Sequence, residues 1–206
     1  VKLKNSYITT FIKALYILQE GKAWYYMTKI DIDNIVCFIN PHEPFDIKFL
    51  SENIPESSYN PSQFEGLSIK FNALKTVSII LSNGKIICTG AKNLEDAEKS
   101  FKETIKLINN TGLKIDTNFD INIENIIAST NIYKDLDLSA ISSALLFQGV
   151  SYEPEKLPGL IYKIKDTCIT MLIFATGKIV CAGAKSIEEA KDAIDKVKEK
   201  LSSIGV

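Results

Sequence analysis

The chain has 206 residues, 46% of them apolar, enough for a real core in one large domain or two small ones, which excludes a disordered or fibrous protein. Its 24 basic and 25 acidic residues nearly cancel, so no whole-molecule field draws it to nucleic acid or an anionic membrane, and any such binding must come from local clustering. Every basic residue is a lysine, which excludes bidentate guanidinium contacts to phosphate or guanine.

In chain order, the stretch Val1 to Met27 places Lys2 and Lys4 before an apolar run that Lys13 interrupts. No small-residue cleavage site follows, so it makes a poor secretion signal, and it is too short and polar to span a bilayer. We treat residues 1–28 as an extension, one that translation from upstream of a natural start at Met27 would produce; N-terminal sequencing of the native protein decides this.

Beyond the extension the chain is a tandem duplication. Gly84-Lys-Ile-Ile-Cys-Thr-Gly-Ala-Lys92 returns as Gly177-Lys-Ile-Val-Cys-Ala-Gly-Ala-Lys185, and Tyr59-Asn60-Pro61 returns as Tyr152-Glu153-Pro154, both 93 residues on. Ile32 to Val36 pairs with Ile123 to Ile127 at an offset of 91, so a small length change lies between. The first repeat is expected over 29–115 and the second over 116–206. Two copies are too few for a solenoid and more often build a pseudo-dimer about an approximate two-fold axis.

Each copy begins with a β-branched run, Asn34 to Ile39 or Asn125 to Ile132, followed by a short helix. Three strands are expected next: Leu67 to Phe71, Thr76 to Leu81 and Lys85 to Thr89 in the first copy; Leu160 to Ile164, Cys168 to Phe174 and Lys178 to Ala182 in the second. Ser82-Asn83-Gly84 is the clearest hairpin signal. A long amphipathic helix closes each copy, with stripes Leu94, Ala97, Phe101, Ile105, Ile108 and Ile187, Ala190, Ile194, Val197, Leu201, Ile204. Asn93 opens the first, and Ser186 with Glu189 reads as a capping box for the second.

Such helices cover one face of a sheet, yet the strands are apolar on both. Ile86, Cys88, Ile179 and Cys181 can face the helices while Ile87, Thr89, Val180 and Ala182 face away. An apolar outer face rimmed with lysine marks an interaction surface; packing against another subunit or a further layer accounts for it equally well. Cys37, Cys88, Cys168 and Cys181 contain no C-x-x-C pair and His42 is the sole histidine, so no metal site is expected. Cys88 and Cys181, in matching places between apolar neighbours, read as buried free thiols, which points to a reducing intracellular compartment.

The two G-K-I-x-C-x-G-A-K runs, Tyr59-Asn-Pro-Ser-Gln-Phe64 and Tyr152-Glu-Pro-Glu-Lys-Leu-Pro-Gly-Leu-Ile-Tyr162 together resemble the TATA-box-binding protein family, its archaeal form in particular, over roughly Ile30 to Gly205. The resemblance implies an α+β saddle: two pseudo-symmetric repeats forming one curved antiparallel sheet, helices on the convex face, the concave face in the minor groove of A·T-rich double-stranded promoter DNA. Minor-groove edges of A·T pairs show only acceptors, so reading them takes donors set in apolar surface. The resemblance assigns the donors to Asn34 and Asn125 and the apolar floor to Val36, Ile79, Ile87, Thr89, Ile127, Leu172, Val180 and Ala182. Thr89 has Ala182 as its counterpart, so one hydroxyl is missing from the second repeat.

The wedges that enter kinked base steps would be Phe64 with Leu81 and Leu157 with Phe174, one phenylalanine per repeat where the family usually has two. Leucine stacks less well than a ring, so a smaller bend or faster release is expected. Phosphate contacts fall to the 93-spaced pairs Lys70 and Lys163, Lys85 and Lys178, Lys92 and Lys185; Gln63 replaces a position often basic in the family. Binding should weaken with salt by no more than about six counterions' worth. Glu153 and Glu155 match the loop through which the family recruits transcription factor B, and RNA polymerase through it; the plainer reading is a solvated acidic turn.

Two other classes compete with this one. An enzymatic module finds no nucleophile beside His42, no G-K-[ST] phosphate loop and no length for a catalytic domain, so no cofactor, small-molecule substrate or membrane role is expected. A diverged paralogue that binds transcription factors more than DNA is motivated by the lost phenylalanines and the absence of arginine. The resemblance implies a cytoplasmic protein of the archaeal nucleoid, or a nuclear one in a eukaryote.

Overall fold

The computed structural model describes residues 28–41, 43–146 and 148–205. The expectations for Val1 to Met27 and for His42 lie outside the described residues.

Alternation of apolar and polar side chains writes most of the strands. β1 (Asp31–Ile39) buries Ile35, Cys37 and Ile39 and leaves Asn34, Val36 and Phe38 half-buried on the other face. α1 (Ile47–Asn53) starts where the Asp46 carboxylate accepts from the Phe49 N–H at 3.0 Å. Then come β2 (Ser57–Asn60), β3 (Phe64–Phe71), β4 (Thr76–Leu81), β5 (Ile86–Ala91) and α2 (Leu94–Asn110). The second copy repeats the series: β6 (Asn122–Asn131), α3 (Leu138–Ala144), β7 (Val150–Tyr152), β8 (Gly159–Lys163), β9 (Thr170–Phe174), β10 (Lys178–Ala184) and α4 (Ile187–Ser203).

The strands form one ten-stranded sheet in the order β2-β3-β4-β5-β1-β6-β10-β9-β8-β7, so the second copy's order from β6 outward repeats the first copy's order from β1 outward. This is the α+β class with two like repeats that the sequence pattern calls for. Two short strands were missed there. β2 and β7 sit at the sheet edges, and β2, Ser-Ser-Tyr-Asn, carries no aliphatic side chain to announce it. β9 starts at Thr170 instead of Cys168, because Lys165 to Cys168 form a turn with Asp166 at φ 59°.

Two compact units divide the described residues: 32–128 with 182–190, and 28–31, 129–181 and 191–205. In the first, α2 packs on β4 and β5. Its core carries hydroxyls: Thr76 and Ser100 lie 2.8 Å apart, Thr104 donates to the Ser100 carbonyl at 2.7 Å, and the Thr104 and Ser78 hydroxyls lie 2.8 Å apart. All four are buried, so each hydroxyl must find its partner inside. Phe119 closes the helix from the side, its ring edge-on to Phe101 at 5.8 Å.

In the second unit the residues 93 further on are Ile169, Met171, Ala193 and Val197, equally buried and apolar. Lys198, standing where the first repeat has Ile105, is 2% exposed and reaches Asp195 at 3.1 Å. The stripe of α4 is otherwise as expected through Ala190, Ile194, Val197 and Leu201, whereas Ile187 and Ile204 are only half-buried and Leu94 of α2 is 39% exposed. These three sit at helix ends, where a side chain projects past the sheet. Ser186 accepts from the Glu189 N–H at 3.0 Å, but Glu189 returns its carboxylate to the N–H of Lys185 instead of Ser186.

None of the four cysteines is in a disulfide. Cys37 and Cys88 are cross-strand neighbours, buried on the helix side. The hydrogen bond with Cys88, with burial added, pushes the Cys37 thiol well above its ordinary range. Cys181 is buried as expected, but Cys168 is exposed because its turn lifts it out of β9. No described helix is long and apolar enough to cross a membrane.

Candidate nucleic-acid interface

The face of the sheet opposite the helices is built by parity. On it Ser68, Ile79, Ile87 and Phe38 oppose one another across β3, β4, β5 and β1, all half-buried. Lys70, Val77 and Thr89 form the adjacent row. In the other unit Ile161 opposes Leu172, and Lys163 opposes Thr170. Val36, Ile127, Val180 and Ala182 are half-buried with the same parity. Within each unit these residues have the parity of the face opposite the helices.

A bulge explains the glycine of the repeated motif. Ile35 pairs with Ala91 and Cys37 with Cys88, so β5 holds one extra residue there. Gly90 takes φ 93°, and a Cβ on it would lie 2.5 Å from the Lys75 carbonyl oxygen, so only glycine fits. Its N–H donates to Asn34 Oδ1 at 2.7 Å. The second repeat has the same device: Gly183, φ 105°, donates to Asn125 Oδ1 at 2.7 Å. With the oxygen held by a donor, each amide must turn its NH2 the other way. Asn34 Nδ2 donates to Thr89 Oγ1 at 3.2 Å, whereas Ala182 offers no such acceptor and the Asn125 NH2 has no hydrogen-bond partner among the described residues.

The two wedge residues of the first repeat come together around a glycine. Gly66 lies opposite Leu81, and a Cβ on it would sit 2.3 Å from Phe64 Cε1 and 3.1 Å from Leu81 Cδ2. Phe64 is 51% exposed on this platform. In the second repeat Phe174 lies on Gly159, whose Cβ would meet the ring at 3.2 Å, and Leu157 is half-buried two residues earlier. Gly66 and Gly159 were not singled out from sequence, although each stands two residues after a wedge position.

The six lysines differ in their surroundings. Lys70, Lys92, Lys163 and Lys178 are exposed and have no ion pair among the described residues. Lys85 reaches Glu124 Oε2 at 3.2 Å, and its ammonium lies 3.8 Å from the centre of the Phe38 ring. Lys185 donates to the Glu124 backbone carbonyl and lies 3.8 Å from Oε1 of the same residue. Phe38 and Glu124 were also missed. Phe38 follows Asn34 and Val36 in parity; Glu124 gave no signal, because its role depends on lysines distant in sequence. Of the acidic pair, Glu155 is exposed without an ion pair among the described residues, while Glu153 pairs with Lys156.

Ten strands in one sheet, built as two like repeats each closed by a long helix, define a duplicated α+β protein. A family model described as transcription factor TFIID, or TATA-binding protein, matches residues 29–111 and 120–204. The TATA-box-binding protein of Archaeoglobus fulgidus is 35% identical over 178 residues, 86% of this chain and 97% of that one. That of Methanothermobacter thermautotrophicus is 38% identical over 180 residues, 86% and 98% of the two chains. The solved Methanococcus jannaschii TBP matches with a TM-score of 0.77 at 34% identity, covering 85% of this chain and 99% of that one.

The chain belongs to the TATA-binding protein family. It is a general transcription initiation factor and not an enzyme.

Proposed function

We propose that the chain binds the minor groove of A·T-rich promoter DNA through the open faces of its two repeats, bends the duplex at the wedge positions, and recruits transcription factor B and, through it, RNA polymerase. The observation that carries this reading is the pair of bulge-glycine bonds, Gly90 to Asn34 and Gly183 to Asn125, each 2.7 Å. They hold the oxygen of each amide, leaving the Asn125 NH2 without a partner among the described residues and the Asn34 NH2 with one hydrogen beyond its bond to Thr89. Donors on an apolar face are the combination that acceptor-only A·T edges require and that a guanine amino group would oppose. The four unpaired lysines supply phosphate contacts, and Glu155 with Glu153 the recruiting surface. It would act where the chromosome is, in the nucleoid or, in a eukaryote, the nucleus.

The test is a gel shift with bend measurement on an A·T-rich and a G·C-rich duplex, with and without transcription factor B. Preferential, bent binding of the A·T duplex, strengthened by the factor, is expected. Equal affinity for both duplexes would instead favour the paralogue that acts through transcription factors, a reading to which the engagement of Lys85 and Lys185 by Glu124 lends weight.

A further inference from the structure

Within the unit formed by residues 32–128 and 182–190, Glu124 at the start of β6 meets two ammonium groups, Lys85 from before β5 and Lys185 from after β10. Lys85 is held on its other side by the Phe38 ring at 3.8 Å, and Lys185 also donates to the Glu124 backbone carbonyl. The residue equivalent to Glu124 in the first repeat is Asp33, one methylene shorter, and the equivalent lysines are Lys178 and Lys92. Asp33, Lys178 and Lys92 make no ion pair among the described residues. Lys85 and Lys185 therefore share a carboxylate, and their counterparts Lys178 and Lys92 do not.

We infer that Glu124 is an internal stand-in for a backbone phosphate, occupying Lys85 and Lys185 in the free protein and thereby weakening the grip on DNA at that pair of lysines alone. The inference rests on the proposed DNA-binding function. A duplex phosphate arriving there must compete with a carboxylate for the same ammonium groups, whereas neither Lys92 nor Lys178 has a carboxylate partner among the described residues. An exposed ion pair is weak by itself, so DNA can displace it. It nevertheless acts at each binding event, and it makes the lysines of the motif unequal between the two repeats.

The experiment compares the full chain with E124Q, D33N, K85M/K185M and E124Q/K85M/K185M, titrating a fluorescent A·T-rich duplex across a salt series, with circular dichroism to show that each variant is folded. E124Q keeps the side chain's length and removes its charge. It should bind about three- to tenfold tighter at low salt, with a salt slope steeper by about one counterion. D33N adds the same net charge where no lysine is clamped and should change affinity less than about twofold. In the K85M/K185M background the E124Q gain should vanish.

If the wild type binds but E124Q gains no more than D33N, or binds more weakly, the stand-in role is overturned and the DNA-binding reading stands. If no variant prefers the A·T duplex at any salt, the DNA-binding reading falls, and this inference with it.

Discussion

Gly183 donates its N–H to Asn125 Oδ1 at 2.7 Å, yet the residue that would hold the other end of that amide is Ala182, where the first repeat has Thr89. The Asn125 amide is fixed by its oxygen alone, so its NH2 group has both hydrogens to offer. Asn125→Asp keeps the acceptor for Gly183 and exchanges the donors for a negative charge. Thermal stability should stay within about 1 kcal/mol of wild type, since the glycine bond survives. Affinity for an A·T-rich duplex should fall at least about tenfold, because carboxylate oxygens then face adenine N3 and thymine O2. Ala182→Thr should leave binding intact and make the two halves alike in their response to base-pair changes.

Gly66 under Phe64 leads to a second expectation. A methyl group at Gly66 would stand 2.3 Å from Phe64 Cε1, so Gly66→Ala must move the ring off its platform. Because Phe64 is 51% exposed, the fold should lose little stability, whereas the bend angle at that end should fall and dissociation should quicken. Leu81→Phe with Leu157→Phe tests the same surface in the opposite direction: the bend should grow or release should slow. Bend-angle assays by fluorescence energy transfer read both.

Stability should respond differently in the two repeats. Ser100→Ala leaves Thr76 and Ser78 short of a buried partner and should cost about 1–2 kcal/mol in urea denaturation. Lys198→Ile, copying Ile105, removes an almost fully buried ammonium and should be neutral or stabilise by about 1–2 kcal/mol. Asp195→Asn should destabilise, since it leaves that ammonium without its carboxylate.

Thiol labelling gives a fourth expectation. Cys168 is the exposed cysteine, so native protein should take up one equivalent of an alkylating reagent quickly. Cys37 and Cys88 should label only as the protein unfolds. Raising the pH through the mildly alkaline range should not release Cys37, because the hydrogen bond with Cys88 and burial hold its pKa above that range. Mass mapping of the labelled peptides against denaturant concentration checks this.

The duplication, the α+β class, the long helices and the parity of the strands were legible in the sequence, because each follows from local spacing: period two in Ile86 and Cys88 against Ile87 and Thr89, and alternating threes and fours in α4. What the residues do to one another was not legible. That Gly90 and Gly183 orient Asn34 and Asn125, that Gly66 and Gly159 make room for the wedges, and that Glu124 takes up Lys85 and Lys185 all depend on strand register. The buried hydroxyls of the first repeat and Lys198 of the second likewise find partners only through packing. Sequence periodicity fixes which face a side chain joins; charge and hydrogen bonding act over a few ångströms, and only the tertiary structure brings residues 39 or 61 positions apart within that range.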